Sequence, residues 1–264
     1  MRNLPKRWAE AISAIENTVS YVAHPGDSWS DRCCSVVELR QYTLHPSRRD
    51  DLIELFDREF VETQEAMGMH IVAQFRDLDD PDRFVWIRGF TDMTSRTEAL
   101  QAFYGGPVWK QHRAAAAATM IDSDDVLLLA PAFAGAGLDH PPPPRPSATD
   151  LDLPAATIVV TIHPVAEPLP TAEVRDFAAA SDAVTRGHGA RSLAWYVTEP
   201  AENTFPALPV RTDISVIVNI TAFDDVEHHR SFVSNPTVRA GHGSLPSSAA
   251  WQLRLAPTAR SQLR

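Results

Sequence analysis

The chain has 264 residues, 44% of them apolar, a formal net charge of -10 and a pI of about 5.4. That length and apolar share suit two small domains or one double domain with a real core, and they exclude a disordered chain. The acidity disfavours nucleic-acid binding, which needs a basic surface for phosphates. No run approaches the roughly 18 apolar residues of a membrane span.

Residues 1–34 stand apart as an extension. Basic residues open them, but no apolar stretch follows, so a secretory signal is not expected. Trp8, Ile12 and Ile15 at helical spacing predict a short helix over 4–19, broken by His24-Pro25-Gly26-Asp27. Cys33 and Cys34 are adjacent and are the only two cysteines. Such neighbours make neither a disulfide framework nor a metal set, and reduced thiols in the cytoplasm are the expectation. Lys6 and Lys110 are the only lysines among 24 lysines and arginines, a bias that fits a high-GC bacterial source.

A first module is expected over 35–131. Strands are predicted at Val36–Leu44, His70–Phe75, Phe84–Phe90 and Val126–Leu129, where β-branched and aromatic residues concentrate between turn signals. Leu52, Phe56 and Phe60 form the stripe of a core-facing helix that Gly68 closes. A second helix covers Ser95–Phe103 with Thr94 or Ser95 as cap, and after Gly105-Gly106-Pro107 another piece runs through Trp109 to Met120. Residues 132–154 read as a linker, in which Pro141–Pro144 cannot join a sheet ladder. The second module, 155–257, repeats the order. Its strands are Thr157–Ile162, Ser192–Thr198, Ile214–Ile220 and Trp251–Leu255; its helices are Val174–Val184 and Asp224–Val233, with Asp224 as cap. Residues 258–264 form a tail. Leu44-His45-Pro46 recurs as Ile162-His163-Pro164, and Leu129-Ala130-Pro131 as Leu255-Ala256-Pro257, with the His-Pro pairs ending strands. Both halves read β-α-β-β-α-β, the ferredoxin-like motif.

Val37-Glu38-Leu39-Arg40-Gln41-Tyr42, Trp86-Ile87-Arg88-Gly89-Phe90, Asp92 with Arg96, and Gly106-Pro107-Val108-Trp109 with His112-Arg113 make residues 36–131 resemble the NIPSNAP family. The second half resembles the degenerate repeat of two-module members, with Phe223-Asp224 where Thr91-Asp92 stood and His228 at the position of Arg96. The resemblance implies a dimeric α+β barrel superfold, closed by dimerisation or, in a two-module chain, by tandem fusion. It supplies no reaction, because that superfold hosts many.

Residues two apart on a strand share a face. Glu38, Arg40 and Tyr42 therefore point one way and Val37 and Leu39 the other. With Val37 and Leu39 placed under the helices, the polar trio is expected to face the interior between the sheets. Arg88 shares a face with Phe84, Trp86 and Phe90. Together these groups could bind a small organic acid or polar aromatic compound, with Glu38 as base or Tyr42 as acid and Arg40 and Arg88 holding an anion. The competing reading is a structural ion pair of Glu38 with Arg40 or Arg88. Trp109 and His112 share a helical face, as a pocket wall and a base, or as core and surface residues. Asp92 and Arg96 read as a cap plus an i,i+4 ion pair.

In the second module Tyr196, Asn219 and Arg254 are the polar candidates. An offset of 118 residues places Arg40 and Tyr42 over Ile158 and Val160, so no symmetric polar pocket is expected. The histidine spacing gives no metal set, and no nucleotide-binding, Walker or serine-hydrolase motif occurs. No cofactor is predicted, and haem stays open because several histidines offer an axial ligand. The fold expected is α+β, two tandem ferredoxin-like modules forming a fused barrel. The function expected is small-molecule binding with cofactor-independent chemistry in bacterial specialised metabolism, namely proton transfer, cyclisation, isomerisation or oxygenation. The alternatives are a non-catalytic binding or scaffold protein and a haem or metal enzyme. A small-molecule substrate is the expected partner, with a homodimer allowed and neither nucleic acid nor membrane.

Overall fold

The computed structural model describes residues 34–138, 142–241 and 250–264; the helix expected over 4–19 lies outside them. Eight strands form where β-branched and aromatic residues concentrate: β1 (Val36–Leu44), β2 (His70–Asp77), β3 (Arg83–Phe90), β4 (Met120–Pro131), β5 (Thr157–Val165), β6 (Arg191–Thr198), β7 (Ser215–Phe223) and β8 (Trp251–Pro257). All the ladders are antiparallel, and the order β1-β3-β2-β8-β5-β7-β6-β4 closes as a barrel. Each half is a ferredoxin-like sheet, so two tandem modules make one fused α+β barrel. The halves meet at two short seams. At one, Phe75, Arg76 and Asp77 of β2 pair with Pro257, Ala256 and Leu255 of β8. At the other, Leu129, Ala130 and Pro131 of β4 pair with Thr198, Val197 and Tyr196 of β6. Pro164, expected to end a strand, instead lies within β5 opposite Val216. The β8 ladder runs only along 158–162, so the missing N–H falls where no second neighbour needs it.

Helices cover the outer faces. In the first module α1 (Arg49–Leu55) passes through a π-helical turn, Phe56–Phe60, into α2 (Val61–Glu65). Leu52, Phe56, Phe60 and Gln64 are four apart, and on a 3.6-residue helix each step drifts by about 40°. The wider π turn takes up that drift, and all four side chains stay buried against the sheet. Asp92 caps α3 (Met93–Gly105), accepting from Ser95 N–H at 2.7 Å, and Pro107 opens α4 (Pro107–Ala117). In the second module α5 is Thr171–Gly187, α6 Val226–Ser234 and α7 Pro236–Gly241. The cap of α6 is Asp225, not Asp224, because Asp225 has the extended backbone that lets its carboxylate reach His228 N–H at 2.7 Å. No described helix is long and apolar enough to cross a membrane.

The barrel corrects the expected facing of β1. Val37, Leu39, Val85, Ile87, Leu127 and Leu129 fill the lumen with Ile158, Val160, Ile162, Val218, Ile220 and Leu255 from the other half. An eight-stranded barrel has just enough interior for its own side chains. Glu38, Arg40 and Tyr42 therefore point outward, into the layer between sheet and helices.

The register of the repeat also differs from the expected one. Val36 opposes Phe90, two residues before the Asp92 cap; Thr157 opposes Phe223, two residues before the Asp225 cap. In this frame Glu38, Arg40 and Tyr42 correspond to Val159, Thr161 and His163, and Arg88 to Thr221. His229, rather than His228, corresponds to Arg96. The copies are still unlike, with Val159 standing where the first module has its carboxylate.

Candidate functional site

Under the helices of the first module, Glu38 is held by three guanidinium groups. Arg40 Nη1 and Arg88 Nε donate to its Oε2, and Arg96 Nε donates to its Oε1, each at 2.7 Å. All four residues are 0% exposed. Burial alone would push the Glu38 carboxyl up, but Arg88, Arg40 and Arg96 outweigh it and hold the group well below the ordinary carboxylate range. Burial drags the Arg96 guanidinium down, with Glu38 resisting. The ion pairs of these arginines among the described residues all end on Glu38, so three positive charges meet one negative. An excess of two buried charges is costly unless something else compensates them.

The remaining donors of the cluster are partly satisfied. Arg40 Nε donates to Tyr42 Oη at 3.2 Å, Arg88 Nη1 to Gln64 Oε1 at 3.1 Å, and Arg96 Nη1 to Asn203 Oδ1 at 3.0 Å. Gln64 is itself tied to Phe60 O by its Nε2 at 3.0 Å. Arg88 Nη2, Arg96 Nη2 and Trp86 Nε1 are buried with no acceptor among the described residues. Arg88 lies over the Trp86 ring, 5.1 Å from its centroid, and Arg40 lies 5.5 Å from the same ring. Burial pushes the Tyr42 phenol up against the pull of Arg40, so Tyr42 is protonated at neutral pH and can donate.

Beside the cluster lies a void of about 20 Å³, room for a single water. Tyr42, Trp86 and Gln64 form the wall shared with the arginines, and Phe56, Phe60, Phe103, Tyr104 and Trp109 close the rest. The packing is edge-to-face, with ring centroids 4.8 Å apart for Phe56–Trp86 and for Tyr104–Trp109.

Part of the cover over Arg96 and Tyr104 comes from the second module. The β6–β7 loop, residues 199–214, crosses to the first, where Phe205 stacks on Tyr104 at 6.0 Å and Asn203 meets Arg96. Backbone bonds from Glu199 N–H to Leu128 O (2.9 Å) and from Arg211 N–H to Val126 O (2.8 Å) fasten the loop to β4.

Residues 37–134 match the NIPSNAP family model. The first module is a NIPSNAP domain. The whole chain is also similar in structure to a Fusobacterium nucleatum protein described provisionally as a monooxygenase, at 9% identity and a TM-score of 0.53, covering 84% of this chain and 92% of that one. A second protein so described, from Lactobacillus acidophilus, aligns at 10% identity and a TM-score of 0.50, covering 86% and 96%. A NIPSNAP family protein from Agrobacterium tumefaciens aligns with 36% of this chain over 91% of its own length, at 16% identity and a TM-score of 0.34. A search of curated proteins returned no match. At these identities the two full-length likenesses concern the fold alone.

The NIPSNAP domain brings together Glu38, Arg40, Tyr42, Trp86, Arg88 and Trp109. The other residues singled out in the sequence lie elsewhere. His112 sits outside the void, with Nε2 3.5 Å from Glu59 and its ring edge-on to Phe60. Tyr196 is in the barrel lumen, its hydroxyl accepting Leu138 N–H at 3.2 Å. Asn219 bonds Ser192, Ala194 O and Thr221 on the helix side of the second module. Arg254 reaches outward to Asp79.

Arg96 is the principal residue the sequence reading misplaced, since it pairs with Glu38 rather than Asp92. Its signal was present: 96, 99, 100 and 103 are one helical stripe, and the other three are buried apolar residues. Gln64 likewise extends the Leu52–Phe56–Phe60 stripe. Among the described residues no group of three His, Cys, Asp or Glu converges as a metal set. Among the described residues no histidine lines the void.

Proposed function

We propose that this chain is a small-molecule-binding α+β barrel whose NIPSNAP domain holds a planar aromatic or enolic acid as its anion and acts on it without a cofactor. The observation that carries the reading is the unbalanced buried charge. Two guanidinium Nη2 groups and an indole N–H lack an acceptor among the described residues, and the Trp86 ring under Arg88 also lines the aromatic-walled void, a combination that suits a flat anion. In this reading Glu38 orients the arginines rather than serving as a base, because its proton affinity is suppressed and its oxygens are engaged. Arg88 and Arg96 stabilise the substrate anion, Tyr42 donates to it, and Trp86 and Trp109 stack against it. A substrate acidic enough to ionise in water needs no strong protein base. Entry requires that cover to lift, and the loop carrying Asn203 and Phe205 is the element that can do so. Oxygenation, as in the names of the two full-length structural neighbours, is one use of such an anion, since an electron-rich phenolate or enolate can itself reduce dioxygen. Cyclisation or isomerisation is another.

A second reading, non-catalytic binding, is favoured by the small void and the saturated Glu38. Dioxygen uptake and absorbance with a panel of planar phenols and enolic acids separate the two. Binding with consumption, both lost in Arg96→Gln, supports the enzyme; binding without consumption of any member supports the carrier. Binding of none of the panel, by a chain that is folded and monodisperse, contradicts both.

A further inference from the structure

Away from that site, at one mouth of the barrel, Cys34, His70 and Gln262 stand in line. Cys34 Sγ is 3.4 Å from His70 Nδ1, and His70 Nε2 is 2.8 Å from Gln262 Oε1. The residues come from the chain just before β1, the start of β2 and the C-terminal tail. The orientation of the Gln262 amide is settled by its other partners. Its Nε2 donates to Pro143 O at 2.8 Å, and Arg145 Nη2 donates to its Oε1 at 3.0 Å. Oε1 is thus the acceptor, and His70 Nε2 must carry the hydrogen it receives. In the neutral ring this leaves the lone pair on Nδ1, the nitrogen facing the thiol. A nucleophile, a base and a group that fixes the base's tautomer is the arrangement that activates thiols and hydroxyls on unrelated folds.

Local backbone holds the sulfur in place. Cys34 has φ +73°, a left-handed conformation that costs a non-glycine residue energy. The cross-strand partner of His70 is Gly89, where any Cβ would overlap Cys34 Sγ. The three residues border a cavity of about 170 Å³ whose apolar wall includes Val72, Leu193 and Leu263 and whose other lining residues include Arg191 and Arg264. A space on the order of 150 Å³ accommodates a benzene-sized molecule.

We propose that Cys34, His70 and Gln262 form a second site, a reactive thiol that adds covalently to small unsaturated carboxylic acids. Cys34 is the nucleophile, His70 the base and Gln262 a positioning residue, while Arg191 and Arg264 hold the carboxylate. As the S–C bond forms at the β-carbon, the thiol proton passes to Nδ1 and the π electron pair moves to the α-carbon. That carbon then takes the proton back from Nδ1. Nothing leaves, and no oxidant or reductant is consumed.

The test uses the full chain carrying Cys33→Ser, so that one thiol reports, with acetylacrylate as the unsaturated acid and iodoacetate and iodoacetamide as a charged and neutral pair. Intact-mass kinetics at pH 7 are expected to show a single acetylacrylate adduct on Cys34, formed at least about tenfold faster than on glutathione. Iodoacetate should react faster than iodoacetamide, a preference lost in Arg191→Met/Arg264→Met. His70→Gln should slow every reagent by at least about tenfold while circular dichroism is unchanged. If that variant does not fold, the pH–rate profile of the His70 chain decides, because a base-assisted thiol reacts at lower pH than glutathione. Reaction no faster than glutathione's with the same pH profile, or no preference for the acid over the amide, overturns the proposal. The phenol and enol panel does not read this site, so either proposal can fail alone.

Discussion

Glu38 concentrates the energetics of the NIPSNAP domain in one side chain. Removing its charge while leaving its shape strands three buried guanidinium groups. Glu38→Gln should cost about 3–5 kcal/mol in urea unfolding at pH 7. The pH dependence has a definite sign. The carboxyl is depressed in the folded chain, so its contribution is present above the ordinary glutamate value of 4.5 and is lost as pH falls below it. The gap between wild type and variant should narrow in acid. Asp57, in the π turn, has the opposite sign. Burial pushes its carboxyl up to about 6, against the pull of Arg260 and Arg145. Its stabilising contribution is greatest below 3.8 and is lost as pH rises through 6. Asp57→Asn should therefore stabilise the chain by about 2 kcal/mol at pH 8, allowing for partial exposure, and by little at pH 4, read from unfolding midpoints at the two pH values.

At the scale of elements, the β6–β7 loop ties the two halves together physically. Phe205 is 3% exposed and packs into the first module's aromatic layer. Phe205→Ala should lower stability by about 3 kcal/mol and enlarge the void, so that a hydrophobic dye or small aromatic acid enters faster in stopped-flow fluorescence. The elements themselves were largely legible in the sequence. β-branched and aromatic runs between turn signals placed all eight strands, and helical stripes placed the main helices. What alternation could not say was which face of β1 met the lumen. Both faces are buried, one by the opposite sheet and one by helices, so the usual contrast of buried against solvated was missing. The Arg96–Glu38 pair and the reach of loop 199–214 depend on contacts across 58 and 107 residues of chain, beyond the range of any local pattern. Arg96 itself was readable from its stripe, once a charged residue on an apolar face is taken as buried and paired.

At the scale of the whole molecule, two copies of one topology close the barrel, and only the first carries the polar cluster. Val159 and Thr221 replace Glu38 and Arg88, and the helix-covered face of the second module packs around Trp195 and Phe223 instead. The seams between halves are short, while the lumen is a shared apolar core. Residues 35–131 expressed alone should therefore not remain monomeric, since Val37, Leu39, Ile87 and Leu129 would face water. Sedimentation should show a dimer or larger species; a stable monomer would contradict the shared-core account.

In the proposed function the buried arginine excess holds an anion. Isothermal titration of the whole chain with 2-naphthoate and its neutral isostere 2-naphthamide tests it most directly. The acid is expected to bind at least about tenfold tighter, a difference of about 1.4 kcal/mol, with the preference removed by Arg96→Met. Equal affinity for acid and amide, or an acid preference untouched by Arg96→Met, would contradict it.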